Sequence, residues 1–314
     1  MKFLKRLIPF ILAIALYDLA LFPGWLTPPP FKYSAEVQYS QENNSVEATY
    51  YRRARLLKTG QTTSYVAGDD GALQKGIAKS YTVLTAGQFS GTSTIKLAHY
   101  SSGAGAITFS DALDTIVDTG NGLAIFKTND VIYTNTPNNL GPFTITTGNV
   151  AGTITCVGAT FTSETPAGAV TFYKAEAHSN ASVLDNNTGL MWSQTVAGKM
   201  GPASDGKLPW TTHANGYGIY PYVLAANTAL LGGYGDWRIP DDIELFNLRV
   251  MEGANAAPDG TVFPGWPTSD YIFTSTTRPD DTTYAVVVDF NNGASHPGHG
   301  LKTEILFSAL VRGG

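Results

Sequence analysis

The chain has 314 residues, of which 14 % are charged; 20 basic and 25 acidic side chains leave a net charge of −5. That length accommodates two or three domains, and the acidic balance argues against nucleic acid as a partner, since phosphate binding needs a basic face. The single cysteine, Cys156, excludes an intramolecular disulfide and a zinc site built on cysteine pairs.

Few charges with many Gly, Thr, Ser and Asn favour short strands and tight turns over long surface helices. Residues 1–30 open with Lys2, Lys5 and Arg6 and continue through an apolar run to Leu26. A basic start followed by apolar residues reads as an export signal, a membrane anchor or a packing helix. Asp18 lies inside the run, and an acid at mid-bilayer costs about 2.5–3.5 kcal/mol. Contact of residues 1–26 with a membrane is therefore an expectation, and Thr27-Pro28-Pro29-Pro30 ends the segment.

Residues 31–106 form a β-rich region. Alternation over Tyr33–Tyr39 and again over Val46–Tyr51 predicts a hairpin. Arg52, Arg53 and Arg55 read as a solvated edge. Ala67-Gly68-Asp69-Asp70-Gly71 lacks the spacing of a calcium loop and reads as a turn. A further strand is expected at 81–85, and residues 107–175 form a small β module or spacer, with strands expected at 122–126, 129–133, 143–147 and around Cys156. Its acids, Asp111, Asp114 and Asp118, are scattered without a histidine, so the module reads as scaffold.

Residues 176–314 form the last domain. Val183-Leu184 and Leu190-Met191-Trp192 read as strands joined by the turn Asp185-Asn186-Asn187-Thr188-Gly189, with Trp192 inward. Pro221–Leu231 reads as a helix burying Val223, Ala226, Leu230 and Leu231, and Asp241–Val250 as a second, burying Ile243, Phe246 and Val250. Between them stands Asp236-Trp237-Arg238-Ile239-Pro240. Trp237 is expected to fill the core, Arg238 to pair with Asp236 or Glu244, and Pro240 to start the second helix.

The stretch 277–308 combines apolar strands with exposed residues of unrelated chemistry, the layout of a rigid frame presenting adaptable loops. Its candidate ligand-binding residues are Arg278, Asp280, Asp281, Tyr284, Asn292, His296, His299, Lys302 and Phe307. His296 and His299 stand three apart, but Pro297 and Gly298 oppose a helix there and no third ligand is adjacent, so no metal and no cofactor are expected. No serine sits in Gly-x-Ser-x-Gly, so the chain is not expected to be an enzyme.

Asp185 with Thr188–Trp192, then Asp236–Pro240 with Glu244-Leu245, then Val311-Arg312 together resemble the pattern of the Lcl C-terminal domain family over 180–314. Phe273-Thr274-Ser275-Thr276 stands where that family has Trp-Ser-Ser-Thr. The resemblance implies a C-type-lectin-like α+β domain, found in bacteria and phage, that binds or displays rather than catalyses. Formylglycine-generating enzymes share the broader fold but use cysteines, and this domain has none. The ending Ala309–Gly314 resembles the fixed tail of variable proteins diversified by retroelements.

The expectation is an α+β protein: an apolar N-terminal segment, a mostly β spacer region and a C-type-lectin-like domain. It recognises a surface protein or glycan through 277–308 as an adhesin or receptor-binding display protein, at the cell envelope, outside the cell or on a virion. The alternative is a structural component of a phage particle or envelope using the same surface between subunits, as a homo-oligomer.

Overall fold

The computed structural model describes residues 57–313 except 198–199, 253–254 and 297–299. The apolar segment and the hairpin expected over 33–51 lie outside the described residues. Glycine punctuation and short β-branched runs yield many short strands, as the composition suggests, and none of the described helices is long and apolar enough to cross a membrane.

The one-turn helix α1 (Asp70–Leu73) is capped by Asp69, whose carboxylate accepts from Ala72 N. Strand β1 (Tyr81–Leu84) pairs antiparallel with β10 (Ser182–Asp185), and β2 (Thr92–Ser101) pairs with β9 (Thr171–Ser179). The second pairing runs from Thr92↔Ser179 to Ser101↔Thr171, broken by one irregularity between Ala98 and Tyr100. Residues 102–170 thus leave and rejoin at adjacent strand ends.

Within that excursion lie β3 (Ile107–Ser110), β4 (Thr115–Asp118), β5 (Val131–Thr134), β6 (Phe143–Thr144), β7 (Thr147–Val150) and β8 (Thr153–Thr155). They form one sheet ordered β3-β4-β8-β7 and extend another ordered β2-β9-β5-β6. Ile107, Phe109, Ile116, Ile132, Ile154, Cys156 and Phe172 meet between them as a dry core. Cys156 is the buried hydrophobe its setting predicts, and burial pushes its thiol up to about 12.

The strand expected over 122–126 is instead a 3-10 turn, Gly122–Ile125. The Asp118 carboxylate accepts from Gly120 N at 2.9 Å and Gly122 N at 2.6 Å, which winds the chain tightly there. A Cβ on Gly122 would lie 2.1 Å from the Tyr100 ring, so the close approach requires glycine.

After β10 the chain forms β11 (Met191–Ser193), β12 (Lys207–Pro209), helix α2 (Ile219–Thr228) and helix α3 (Asp242–Phe246). Strands β13 (Tyr271–Thr277), β14 (Ala285–Asp289), β15 (Ser295–His296), β16 (Ile305–Ser308) and β17 (Val311–Arg312) complete it. One sheet runs β1-β10-β11-β17, the other β12-β16-β13-β14-β15. Lys207-Leu208-Pro209 is a strand paired with β16.

All five residues of β14 are buried, because each face meets a different core. Ala285 and Val287 join Phe273, Trp237, Tyr222 and, from β2, Ile95 and Leu97. Val288 joins Ile272, Trp192, Phe263, Leu245 and Val311. A strand wet on neither face reads as a continuous apolar run, and Ala285–Val288 does.

The buried faces of both helices differ from the sequence reading. In α2 the buried residues are Ile219, Tyr222 and Ala226, while Leu230 is 56 % exposed. The helix has ended by then; Leu230 turns at φ 50°, and Leu231 takes the core position. In α3 Ile243 is 67 % exposed, and Leu245 and Leu248 are buried instead. Glu244 reaches back to the Asp241 amide while Asp241 accepts from Glu244 N, a capping box that fixes the rotation of this short helix and aims Leu245 inward.

Candidate functional site

The frame of the site is the turn between the two helices. Trp237 is 2 % exposed, and its Nε1 donates to Leu231 O at 2.8 Å. Its backbone N–H donates to Asn227 Oδ1, and Asn227 Nδ2 donates to Trp237 O. Arg238 grips Glu244 with both terminal nitrogens, at 2.7 and 2.6 Å, and also donates to Gly313 O at 2.9 Å. Burial pushes the Glu244 carboxyl up, but the Arg238 pair and the Asp241 amide outweigh it and hold the group below the usual range. Asp236 pairs with Arg312 at 2.6 Å, and the Arg312 guanidinium covers the Tyr234 ring at 3.6 Å. Of the two partners expected for Arg238, Glu244 is the one used. Trp192, fully buried, pairs with Val311 on the adjacent strand, and Pro240 O accepts from Ser275 N. These residues together lock the chain end against both helices.

The structure divides the candidate ligand-binding residues into three places. Arg278, Asp280, Asp281, Tyr284 and Lys302 gather at the start of β14. Arg278 pairs with Asp280 at 2.5 and 2.6 Å, and its guanidinium lies 5.7 Å from the Tyr284 ring centre. Hydrogen bonding to Arg278 holds the exposed Asp280 carboxyl low, and the Thr283 hydroxyl and amide do the same for Asp281. Lys302 joins through its backbone, donating from N to Thr283 O at 2.9 Å. Its ammonium donates to Thr277 Oγ1 at 2.9 Å and lies 4.0 Å over the Trp210 ring.

Asn292 is exposed beyond the other end of β14, in the turn where its side chain accepts from Ala294 N. That strand is roughly 16 Å long at about 3.3 Å per residue, so Asn292 and Tyr284 do not share one contact point. Phe307 packs partly buried against the second core, its ring 4.9 Å from the Lys207 ammonium, which pairs with Asp270 at 2.6 Å. The backbone of His296 pairs with Val287, and His299 lies outside the described residues.

Two residues that the stretch 277–308 does not contain complete the first group. Trp210 donates from Nε1 to Thr274 O and meets the Tyr220 ring edge-on at 4.9 Å. Tyr220 is 41 % exposed, and Leu224, one turn along α2, is 68 % exposed. A tryptophan in a stretch rich in small and polar residues was the available signal; what it touches depends on the β12–β16 register, which is not local. The group offers aromatic faces, two cations and threonine hydroxyls at one edge of a fully buried strand. Among the described residues no three His, Cys, Asp or Glu side chains gather as a metal site.

Residues 181–312 match the family model described as the Lcl C-terminal domain. Comparison with curated proteins and with solved structures gives no match.

Proposed function

We propose that the protein recognises a ligand, a surface protein or a glycan, through the group around Tyr284 and Lys302, as an adhesin or receptor-binding display protein with a C-type-lectin-like domain. The observation that carries this reading is the placement of Arg278, Tyr284, Lys302, Trp210 and Tyr220 at one edge of a strand buried on both faces. Tryptophan, tyrosine and arginine are the residues over-represented where binding energy concentrates. Arg278, Tyr284 and Tyr220 are displayed here outside the buried cores, while Trp210 packs partly buried against the first of them. The match of residues 181–312 to the Lcl C-terminal domain supports the same reading. The location that goes with it is the cell envelope, the outside of the cell or a virion.

The experiment is a triple change, Tyr220→Ala, Tyr284→Ala and Lys302→Ala, in the full chain. Binding to cells and to an array of glycans and surface proteins is expected to fall at least tenfold, with the urea midpoint nearly unchanged. Unchanged binding would place the ligand elsewhere. Light scattering on the same samples addresses the structural role: a tight oligomer that the triple change dissociates would make this surface a contact between subunits.

A further inference from the structure

A deeply buried ion pair lies away from this surface, beneath the sheet β2-β9-β5. Lys174 and Asp130 face each other across β9 and the start of β5, with Lys174 Nζ 3.1 Å from Asp130 Oδ2 and side-chain exposures of 2 % and 5 %. The β5–β9 register, Val131↔Ala175 and Ile132↔Lys174, makes them diagonal neighbours on one face. Ser204 bridges the two groups: Lys174 Nζ donates to its hydroxyl at 2.8 Å, and that hydroxyl donates to Asp130 Oδ1 at 3.2 Å. The Lys127 amide donates to Asp130 Oδ2 at 2.8 Å. Glu176 follows Lys174 by two residues on the same face, and one further step of the register sets it opposite Asp130. Its carboxylate lies 3.5 Å from His178 Nε2, and its charge favours the ammonium form of Lys174.

Two ions taken so far out of water are costly to keep charged, and transferring the proton from ammonium to carboxylate relieves that cost. Burial pulls the Lys174 ammonium below its usual range, the direction that frees the amine lone pair. With that proton moved across, an amine stands against a carboxylic acid at hydrogen-bond distance, the reacting pair of amide formation already oriented.

We propose that Lys174 and Asp130 condense to an intramolecular isopeptide bond that staples β9 to β5. The Lys174 Nζ lone pair attacks Asp130 Cγ, and the Nζ–Cγ bond forms. The Ser204 hydroxyl stabilises the charge that develops on Oδ1. Glu176 takes a proton from the nitrogen and passes it to Oδ2, the Cγ–Oδ2 bond breaks, and one water leaves. Nothing is oxidised or reduced, and no co-reactant is needed. The Ser204 hydroxyl is left bonding the new amide oxygen.

The test is mass spectrometry of the purified full chain, unfolded and digested with trypsin. Without the bond, cleavage after Lys127 and Lys174 releases the peptide Thr128–Lys174. With it, Lys174 is no longer cleaved, and the peptide Thr128–Lys199 appears, lighter than its sequence by one water. Lys174→Arg and Asp130→Ala are expected to abolish that species. Asp130→Asn is expected to give the same linked peptide by releasing ammonia. Glu176→Gln is expected to slow its formation at least tenfold without moving the urea midpoint of the unlinked protein. Recovery of the unmodified Thr128–Lys174 peptide from folded, aged wild-type protein would overturn the proposal. Linkage at an unchanged rate in Glu176→Gln would overturn the role given to that carboxyl.

Discussion

Cys156 and Trp237 show how far a single residue's surroundings can be read before the fold is known. Each sits in a stretch whose neighbours dictate burial, strand residues in one case and a helix junction in the other, and each is buried. For Cys156 the consequence is chemical. The thiolate is the reactive species, and a thiol held near 12 supplies almost none at neutral pH. A thiol-reactive dye at pH 8 is expected to leave the folded protein unlabelled and to label it stoichiometrically in urea; labelling of the folded protein would contradict the burial. Other residues gave no such signal. Lys174 and Asp130 are far apart in sequence, and only the β5–β9 register brings them together, just as only the β12–β16 register places Trp210 near Lys302. Pairing across distant strands is not encoded in any short window.

At the scale of elements, α3 is the instructive case. Its start was legible to within a residue, at Asp241, while the capping box that Asp241 and Glu244 form and the buried face were not. In a helix of so few residues the apolar period is too short to outweigh what the cap dictates. Asp241→Ala removes the acceptor for the Glu244 amide and keeps the backbone N–H that anchors the Glu244 carboxylate beside Arg238. It is expected to destabilise the protein by about 0.5–2 kcal/mol, the usual cost of a lost cap, read as a lower urea midpoint at unchanged slope. A cost near zero would mean that Arg238 alone sets the helix. Phe273-Thr274-Ser275-Thr276, which stands where the family pattern has Trp-Ser-Ser-Thr, forms the middle of β13, with Phe273 and Thr274 fully buried.

For the whole molecule, two buried histidines set the response to acid. Burial pulls His99 and His178 down to about 4, from 6.5 in the open chain. Above about 6.5 both are neutral folded or unfolded, and their contribution to stability is fully present. As the pH falls toward 4 the unfolded chain takes up protons that the fold refuses, so stability declines, by at most roughly 3 kcal/mol per histidine. Each His99 ring nitrogen lies 2.8 Å from a carbonyl oxygen, and His178 Nε2 lies 3.5 Å from the Glu176 carboxylate, so a protonated ring meets an acceptor at both sites. His178→Phe and His99→Phe are each expected to remove part of the decline in urea midpoint between pH 7 and pH 4.5. Equal slopes in all three proteins would exclude the histidines as its source.

The pairing of β2 with β9 has a mechanical consequence. Because residues 102–170 depart and return through neighbouring strand ends, tension applied between the described chain ends need not cross that excursion. It is carried by β1, β10, β11 and β17, adjacent strands of one sheet, with the Arg312–Asp236 and Arg238–Glu244 pairs holding the last of them. The excursion rides beside the load path, free to vary in size without weakening it. Replacing 102–170 by an Asn-Gly turn, with Lys174→Met so that no lysine is buried without Asp130, is expected to leave a folded protein. In a pulling experiment the shortened chain should yield its first rupture at the same force as the full one.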